Sequence, residues 1–279
     1  MTIDYINQAH NLKHLFTKHF REPSVRKCNV DRPRLIEKLL EYNKNIDAPE
    51  QVTRNIVSLS QPQTYAVITG QQPGLFSGPL YTVYKAISSI VICEKLTTKK
   101  ISLVPIFWNA SEDHDLSEVN HINMFRENKP YELRYHHPDE GVALSYINLD
   151  KSELDKILTI IESISPNSEF KPELLRQIEE IIENSHTIGD FFSRFMIYLF
   201  GELGLILMEP ENFRDMMIPV FEKLIRRPTE CTQTTNETGL RLKKLGYSPR
   251  IHKKSNVCNF FILNSDGKRL QTTYDGKFH

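Results

Sequence analysis

Tyr65-Ala66-Val67-Ile68-Thr69-Gly70-Gln71-Gln72-Pro73-Gly74-Leu75-Phe76-Ser77-Gly78-Pro79 is the stretch on which the fold turns. Its first five residues form a short apolar run of the kind buried on both faces of a sheet. A loop carrying three glycines follows. Pro79 then supplies the fixed φ suited to a helix start. Leu80, Val83, Tyr84, Ile87 and Val91 recur at helical spacing, which predicts them as the buried face of that helix. The next apolar run, Ile101 to Trp108, predicts a second strand, with Pro105 marking an edge, a bulge or the last paired residues. Strand, glycine loop, helix, strand is a βαβ unit. Such crossovers are right-handed and join parallel strands, so the fold class is α/β.

Upstream, residues 1–20 and 33–46 read as helices, the second with Pro33 at its first helical position after Asp31 and Arg32. His10, His14 and His19 recur near one helical face. No carboxylate stands among them, so a solvated face explains them better than a metal site. Downstream, Leu133 to His136 and Val142 to Leu149 read as short strands about the turn Pro138-Asp139-Glu140-Gly141. Residues 151–164 and 172–184 read as helices, Thr187 as the cap of a helix over 188–202, and Leu203 to Met208 as a returning buried strand. Asn212 opens a helix to Arg226, and 230–245 is again helical. Arg250 to Lys254, Asn256 to Leu263 and Lys268 to Tyr274 read as strands, the last two joined by Asn264-Ser265-Asp266-Gly267. The order predicts a helical arm and the first half of the sheet in 1–115 and an inserted α+β module in 116–185. A return to the core follows in 186–228, and a second inserted module begins in 229–279.

Composition narrows the partners. The 279 residues carry 35 basic and 35 acidic side chains, so no net basic footprint for nucleic acid exists. A chain this long builds a core without staples. Cys28, Cys93, Cys231 and Cys258, with no C-x-x-C spacing, therefore read as reduced thiols. Met1 to Phe20 lacks the apolar centre of a signal peptide. Phe191 to Met208 is the most apolar stretch, but Arg194, Glu202 and two glycines make it too polar for a membrane span. The expectation is a soluble cytoplasmic protein that meets neither nucleic acid nor membrane.

Ligands of open parallel sheets bind beyond the carboxyl ends of the strands. Two segments lie there. In the first, Gly70, Gln71, Gln72, Gly74 and Gly78 form a loop whose backbone can approach a ligand closely, and the following helix offers free N–H groups. Tyr81 and Lys85 share one face of that helix. The spacing matches neither G-x-G-x-x-G nor G-x-x-x-x-G-K-[ST]. A tight strand-to-helix turn accounts for the glycines equally well.

The second segment is Phe107-Trp108-Asn109-Ala110-Ser111-Glu112-Asp113-His114-Asp115. The three carboxylates of Glu112, Asp113 and Asp115, with His114, repel unless a cation, amine or proton neutralises them. That suits gripping an amino group or acid–base work. The plainer alternative is a short helix over 112–121 capped by Ser111, with acids complementing its dipole. In such a helix His114, Glu118 and His121 fall on one face and can hold Zn²⁺ or Mn²⁺, although H-E-x-x-H is absent.

Taken whole, the two segments resemble one family. Thr69 to Lys85 resembles the signature T-G-Q-Q-x-G-L-F-x-G-P-L-Y-T-x-Y-K. Val104-Pro105-Ile106-Phe107-Trp108-Asn109-Ala110-Ser111-Glu112-Asp113-His114-Asp115, with Glu118-Val119-Asn120-His121, resembles V-P-V-F-W-x-A-x-E-D-H-D…E-x-N-H. Tyr274-Asp275-Gly276-Lys277 resembles a later Y-D-G-K. These are signatures of the bacillithiol biosynthesis cysteine-adding enzymes. The resemblance implies a Rossmann-like core similar to class I aminoacyl-tRNA synthetases, with inserted connecting modules. It implies a ligase that joins L-cysteine to glucosaminyl-malate through an amide bond, with ATP/ADP as the expected nucleotide. It also implies a homodimer held by a C-terminal coiled coil in the full-length family. Pro73, Ser77 and Asn109 depart from the pattern, and neither H-x-G-H nor K-M-S-K-S of the synthetases is present. Family members are longer, so the second half of the sheet and the coiled coil are expected to lie outside this chain. That leaves an unpaired sheet edge.

On this basis Glu112, Asp113, His114 and Asp115 are the expected catalytic residues. Gly70, Gln71, Gln72, Gly74, Gly78, Tyr81 and Lys85 are the expected substrate and nucleotide contacts. A non-catalytic subunit needing a partner chain is one alternative. A metal-dependent hydrolase using His114, Glu118 and His121 is the other.

Overall fold

A computed structural model describes residues 1–7, 10–16, 19, 30–138 and 141–279, with only the backbone at 11 and 14. Cys28, the side chain of His14 and the middle of the turn expected at 138–141 lie outside the described residues. The chain divides into two compact units. One comprises Met217–Ile262, Leu270–His279 and the described part of Met1–Asn29; the other comprises Val30–Met216 with Leu263–Arg269.

The first unit opens with α1 (Thr2–Ile6) and a 3-10 turn at His10–Leu15, shorter elements than the single helix expected over 1–20. In the second unit, α2 (Arg32–Asn45) starts where expected: the Asp31 carboxylate accepts the Arg34 N–H at 3.2 Å, which satisfies one otherwise orphaned donor. Then α3 (Glu50–Ser58), absent from the sequence reading, buries Val52 and Ile56, one helical turn apart. Two apolar positions on nine residues are too faint a period to stand out.

The sheet follows. β1 (Thr64–Gln71) leads through the glycine loop into α4 (Leu80–Leu96), and β2 (Ser102–Asn109) runs parallel to β1 over eight residue pairs, Thr64–Ser102 to Gln71–Asn109. The helix buries a different face from the expected one. Thr82, Ala86, Ser89, Ile90 and Cys93 face inward, whereas Leu80, Tyr84 and Ile87 are exposed. Both faces are apolar, so periodicity cannot choose between them, and the smaller side chains let the helix lie close on the strands.

A short helix, α5 (Leu116–Val119), and a hairpin replace the helix expected over 112–121. β3 (His121–Arg126) pairs antiparallel with β4 (Lys129–Arg134). The two-residue turn Glu127-Asn128 has φ of 51° and 61°, the left-handed pair that matches hairpin twist. Without glycine there, the sequence gives no turn signal. The strand expected over Leu133–His136 is thus displaced toward 129–134. Val142–Leu149 forms turns with isolated bridges to Lys268 and Thr187 instead of a strand.

α6 (Lys151–Ile164) and α7 (Lys171–Asn184) lie where the sequence put them. α8 (Ile188–Phe200) is capped by Thr187, whose hydroxyl accepts the Asp190 N–H at 3.1 Å. β5 (Ile206–Met208) then joins β2 in parallel, giving the order β1-β2-β5. β2 is therefore the central strand. Pro105 is tolerated because pairing to β5 begins only at Ile106.

Two apolar cores lie in this unit. One joins the sheet to α2, α3 and α8 through Phe107, Phe192, Met196 and Leu207. The other lies among α5 to α8 and the β3–β4 hairpin, around Tyr135, Leu154, Ile182 and Phe191.

Met217 to the C-terminus contains α9 (Ile218–Arg226), preceded by a 3-10 stretch from Pro210, then α10 (Glu230–Lys244) and the two-stranded sheet of β6 (Val257–Leu263) and β7 (Arg269–Thr273). The turn between β6 and β7 is the expected one, closed by the Gly267 N–H on Asn264 O. The strand expected at Arg250–Lys254 is irregular backbone. Cys93, Cys231 and Cys258 are free thiols. Among the described residues no helix is long and apolar enough to cross a membrane.

Candidate active site

Three strands end side by side. Gly70 is in register with Trp108, and Trp108 with Met208, so the segments after β1, β2 and β5 leave the sheet at one level. The segment after β1 is fixed by packing. A Cβ on Gly70 would stand 2.6 Å from Trp108 O, and one on Gly74 would stand 2.5 Å from Gly78 Cα, so the loop neck closes only with glycine. Phe76 and Ser77 adopt positive φ of 48° and 79°. That strain is held because Leu75 is buried and Phe76 packs edge-on against Phe191 and Phe195. The glycines thus act first through loop closure.

The side chains of this loop reach the next one. Lys85 Nζ donates to Gln71 Oε1 at 2.8 Å and to Gly70 O at 3.2 Å, and lies over the Tyr81 ring. Gln71 Nε2 donates to the Tyr81 hydroxyl at 3.1 Å and to Gln72 Oε1 at 3.3 Å. Gln72 Nε2 in turn donates to Asp113 Oδ2 at 2.5 Å and to Glu118 Oε2 at 3.1 Å. A continuous polar chain therefore runs from the ammonium of Lys85 to the acid loop. Tyr81 and Lys85 also line an open groove of about 380 Å³ along β1 and α4, with Val67, Ile68, Thr69 and Tyr84.

The acid loop is held from both ends. Ala110 N–H donates to Gln71 O at 2.9 Å, Leu144 N–H to Asp113 O at 2.8 Å, and Ser145 N–H to Ser111 O at 3.0 Å. Its two leading carboxyls are driven apart. Burial pushes Glu112 above the ordinary glutamate range, and the Trp108 and Arg269 groups only partly offset this. Burial also pushes on Asp113. There the Gln72 amide, the His114 N–H at 2.7 Å and the charges of His114 and Arg269 outweigh it and hold the carboxyl below its usual range.

The structure joins Gln71, Gln72, Tyr81, Lys85 and Asp113 in one network, with Glu112 and His114 beside it. It leaves Asp115 outside: its carboxylate accepts from the Ser117 hydroxyl at the start of α5, without receiving a backbone N–H there. The arrangement required for a metal site on His114, Glu118 and His121 is not formed, because His121 opens β3. Among the described residues no group of three His, Cys, Asp or Glu is placed to hold a metal.

Two residues escaped the sequence reading, and a third has a different part. Glu118, quoted in the family signature and weighed as a metal ligand, is a second acceptor for Gln72. Arg269, on β7, brings Nη1 to 3.7 Å from Asp113 Oδ1 and 3.4 Å from His114 Nδ1; nothing local in the sequence announces a contact across 155 residues. Glu209 follows β5 directly and is buried. An acid right after a buried apolar run was its only signal.

The whole chain, residues 1–279, matches the family model described as "Bacillithiol biosynthesis BshC, N-terminal Rossmann-like domain". The chain belongs to the BshC family. Its β1-β2-β5 sheet is part of that Rossmann-like domain. Among similar proteins, one named as cysteine ligase BshC in Bacillus cytotoxicus is 32% identical over 286 residues, covering 99% of this chain and 53% of the relative. Proteins of the same name in Bacillus cereus and Bacillus anthracis are each 31% identical over 287 residues, with the same coverage. The chain spans about half the length of these BshC relatives.

Proposed function

We propose that the intact protein is a cysteine ligase that joins L-cysteine to glucosaminyl-malate by an amide bond, the last step of bacillithiol biosynthesis, and that this chain carries part of its active site. The observation that supports the reading most is the Gln72–Asp113 hydrogen bond, which ties the loops after two parallel strands into one polar surface.

Forming the amide requires a carboxyl made electrophilic and an amine held in its free form. The depressed Asp113 suits an ionised group that holds and orients an ammonium by charge. The raised Glu112 is the stronger proton acceptor of the two and suits the group that takes a proton from the amine nitrogen and passes it to the departing oxygen. His114 and Arg269 keep Asp113 ionised, and Gln72 sets its direction. Bond formation between the amine nitrogen and the cysteine carboxyl carbon expels the activated oxygen and releases one proton, which Glu112 can carry.

A nucleotide, with ATP/ADP as the expected species, supplies the carboxyl activation when bound. The residues suit an anion: Lys85 is held by the neutral oxygens of Gln71 and Gly70, so its charge is not spent on a carboxylate, and Tyr81 stands beside it. Gly70, Gln71, Gln72, Gly74 and Gly78 shape that side of the surface.

The test is bacillithiol formation by the intact protein from cysteine and glucosaminyl-malate, with Asp113→Asn as the variant. The expected loss is about 100-fold or more in kcat. Undiminished synthesis by Asp113→Asn would remove the catalytic role.

A further inference from the structure

Gln71 and Gln72 stand between the ammonium of Lys85 and the carboxylate of Asp113, and these two ends fix which way both amides face. An ammonium only donates and a carboxylate only accepts. Lys85 Nζ, at 2.8 Å, therefore claims the oxygen of Gln71, and Asp113 Oδ2, at 2.5 Å, claims the nitrogen of Gln72. The remaining halves, Gln71 Nε2 and Gln72 Oε1, meet at 3.3 Å. Every link donates in one sense, from the cation toward the anion, so neither amide can turn over without breaking a link at both of its ends. Neighbouring side chains within a strand point to opposite faces. This pair meets because β1 ends at Gln71 and the loop begins at Gln72.

Each amide also has a second partner. Gln71 Nε2 lies 3.1 Å from the Tyr81 hydroxyl, and Gln72 Nε2 lies 3.1 Å from Glu118 Oε2. The chain can thus open in the middle without leaving an amide nitrogen unsatisfied. With Gln72 on Glu118 alone, Asp113 Oδ2 is open to another cation.

We propose that the Gln71–Gln72 pair couples an anion held at Lys85 to an ammonium held at Asp113, so that each tightens the binding of the other. This rests on reading Lys85 as the nucleotide side of the surface and Asp113 as the group that holds the reacting amine. When Lys85 turns its protons to an anion, Gln71 Oε1 loses its donor and Gln71 settles on Tyr81. Gln72 Oε1 then loses the Gln71 amide, Gln72 shifts onto Glu118, and Asp113 Oδ2 is released. Polarisation acts in the same sense. A cation at the head of a hydrogen-bond chain strengthens its last donor, and a neutralised one leaves Asp113 less satisfied by Gln72. Run backwards, an ammonium on Asp113 loosens Gln72 and then Lys85, as linkage requires. Gln71 and Gln72 act here as positioning residues and need no contact with either ligand.

The experiment is calorimetric titration of the intact protein with glucosaminyl-malate, with and without saturating ADP, in the parent and in Gln71→Met and Gln72→Met. The ratio of the two Kd values is the readout, because a change in either affinity alone does not move it. In the parent, ADP is expected to tighten glucosaminyl-malate about fivefold or more, and glucosaminyl-malate to tighten ADP by the same factor. In each variant the ratio is expected to fall to within about twofold of one. Parent-sized coupling in either variant means that the ligands communicate by another route, and overturns the proposal. Should one variant not fold, the other decides. A parent that binds both ligands, but whose affinity for glucosaminyl-malate is unchanged or weakened by ADP, overturns the coupling and leaves the ligase reading standing. A parent that fails to bind one of the two defeats that reading of the site, and the coupling with it.

Discussion

Asp113 and Glu209 respond to pH in opposite senses. Asp113 is held below the usual aspartate range, so its contribution to stability is full above that range and is lost as pH falls through the depressed value. Glu209 is pushed up, chiefly by burial, so the folded chain binds its proton more tightly than the unfolded chain. Its contribution is therefore full below the ordinary glutamate range and is lost as pH rises toward the raised value. Thermal unfolding between about pH 5 and pH 8 is expected to show a falling Tm in the parent and a flatter profile in Glu209→Gln, which has no proton to lose. Identical slopes would show that Glu209 does not titrate in this window. At this scale the sequence was half legible. Gln72 and Asp113 stand in segments whose composition marks them, whereas Arg269 and Glu209 join the site through tertiary contacts that no local pattern encodes.

Two turns carry their own test, with substitutions of opposite sign. Gly74→Ala places a Cβ 2.5 Å from Gly78 Cα, where two backbones meet, and is expected to cost about 1–3 kcal/mol. Glu127→Gly relieves a non-glycine residue at φ 51° in the β3–β4 turn and is expected to gain about 0.5 kcal/mol. Urea unfolding midpoints read both, and a tolerated Gly74→Ala would mean the loop neck is looser than its geometry implies. The contrast also explains what the sequence revealed. The glycine loop, the Thr187 cap, and α6 to α8 were legible because local chemistry and period agree there. The β3–β4 hairpin was hidden because Glu127-Asn128 adopts a turn that glycine usually announces. The buried face of α4 was misjudged because size, not hydropathy, decides which side lies on the strands.

For the molecule as a whole, the parallel register of β1, β2 and β5 matters most, since it brings three loops to one level and makes a site from segments that are remote in sequence. The order of strand, glycine loop, helix and strand foretold the first two strand ends, and the third followed from the short apolar run before Glu209. The most direct test of that convergence is a double-mutant cycle on kcat/KM for cysteine incorporation by the intact protein, using Gln72→Ala, Asp113→Ala and the pair. If both loops hold one ligand through their shared hydrogen bond, the double variant loses little more than Asp113→Ala alone, a coupling of about 1–3 kcal/mol. Losses that simply multiply would mean that the two loops act separately, and would contradict a common site.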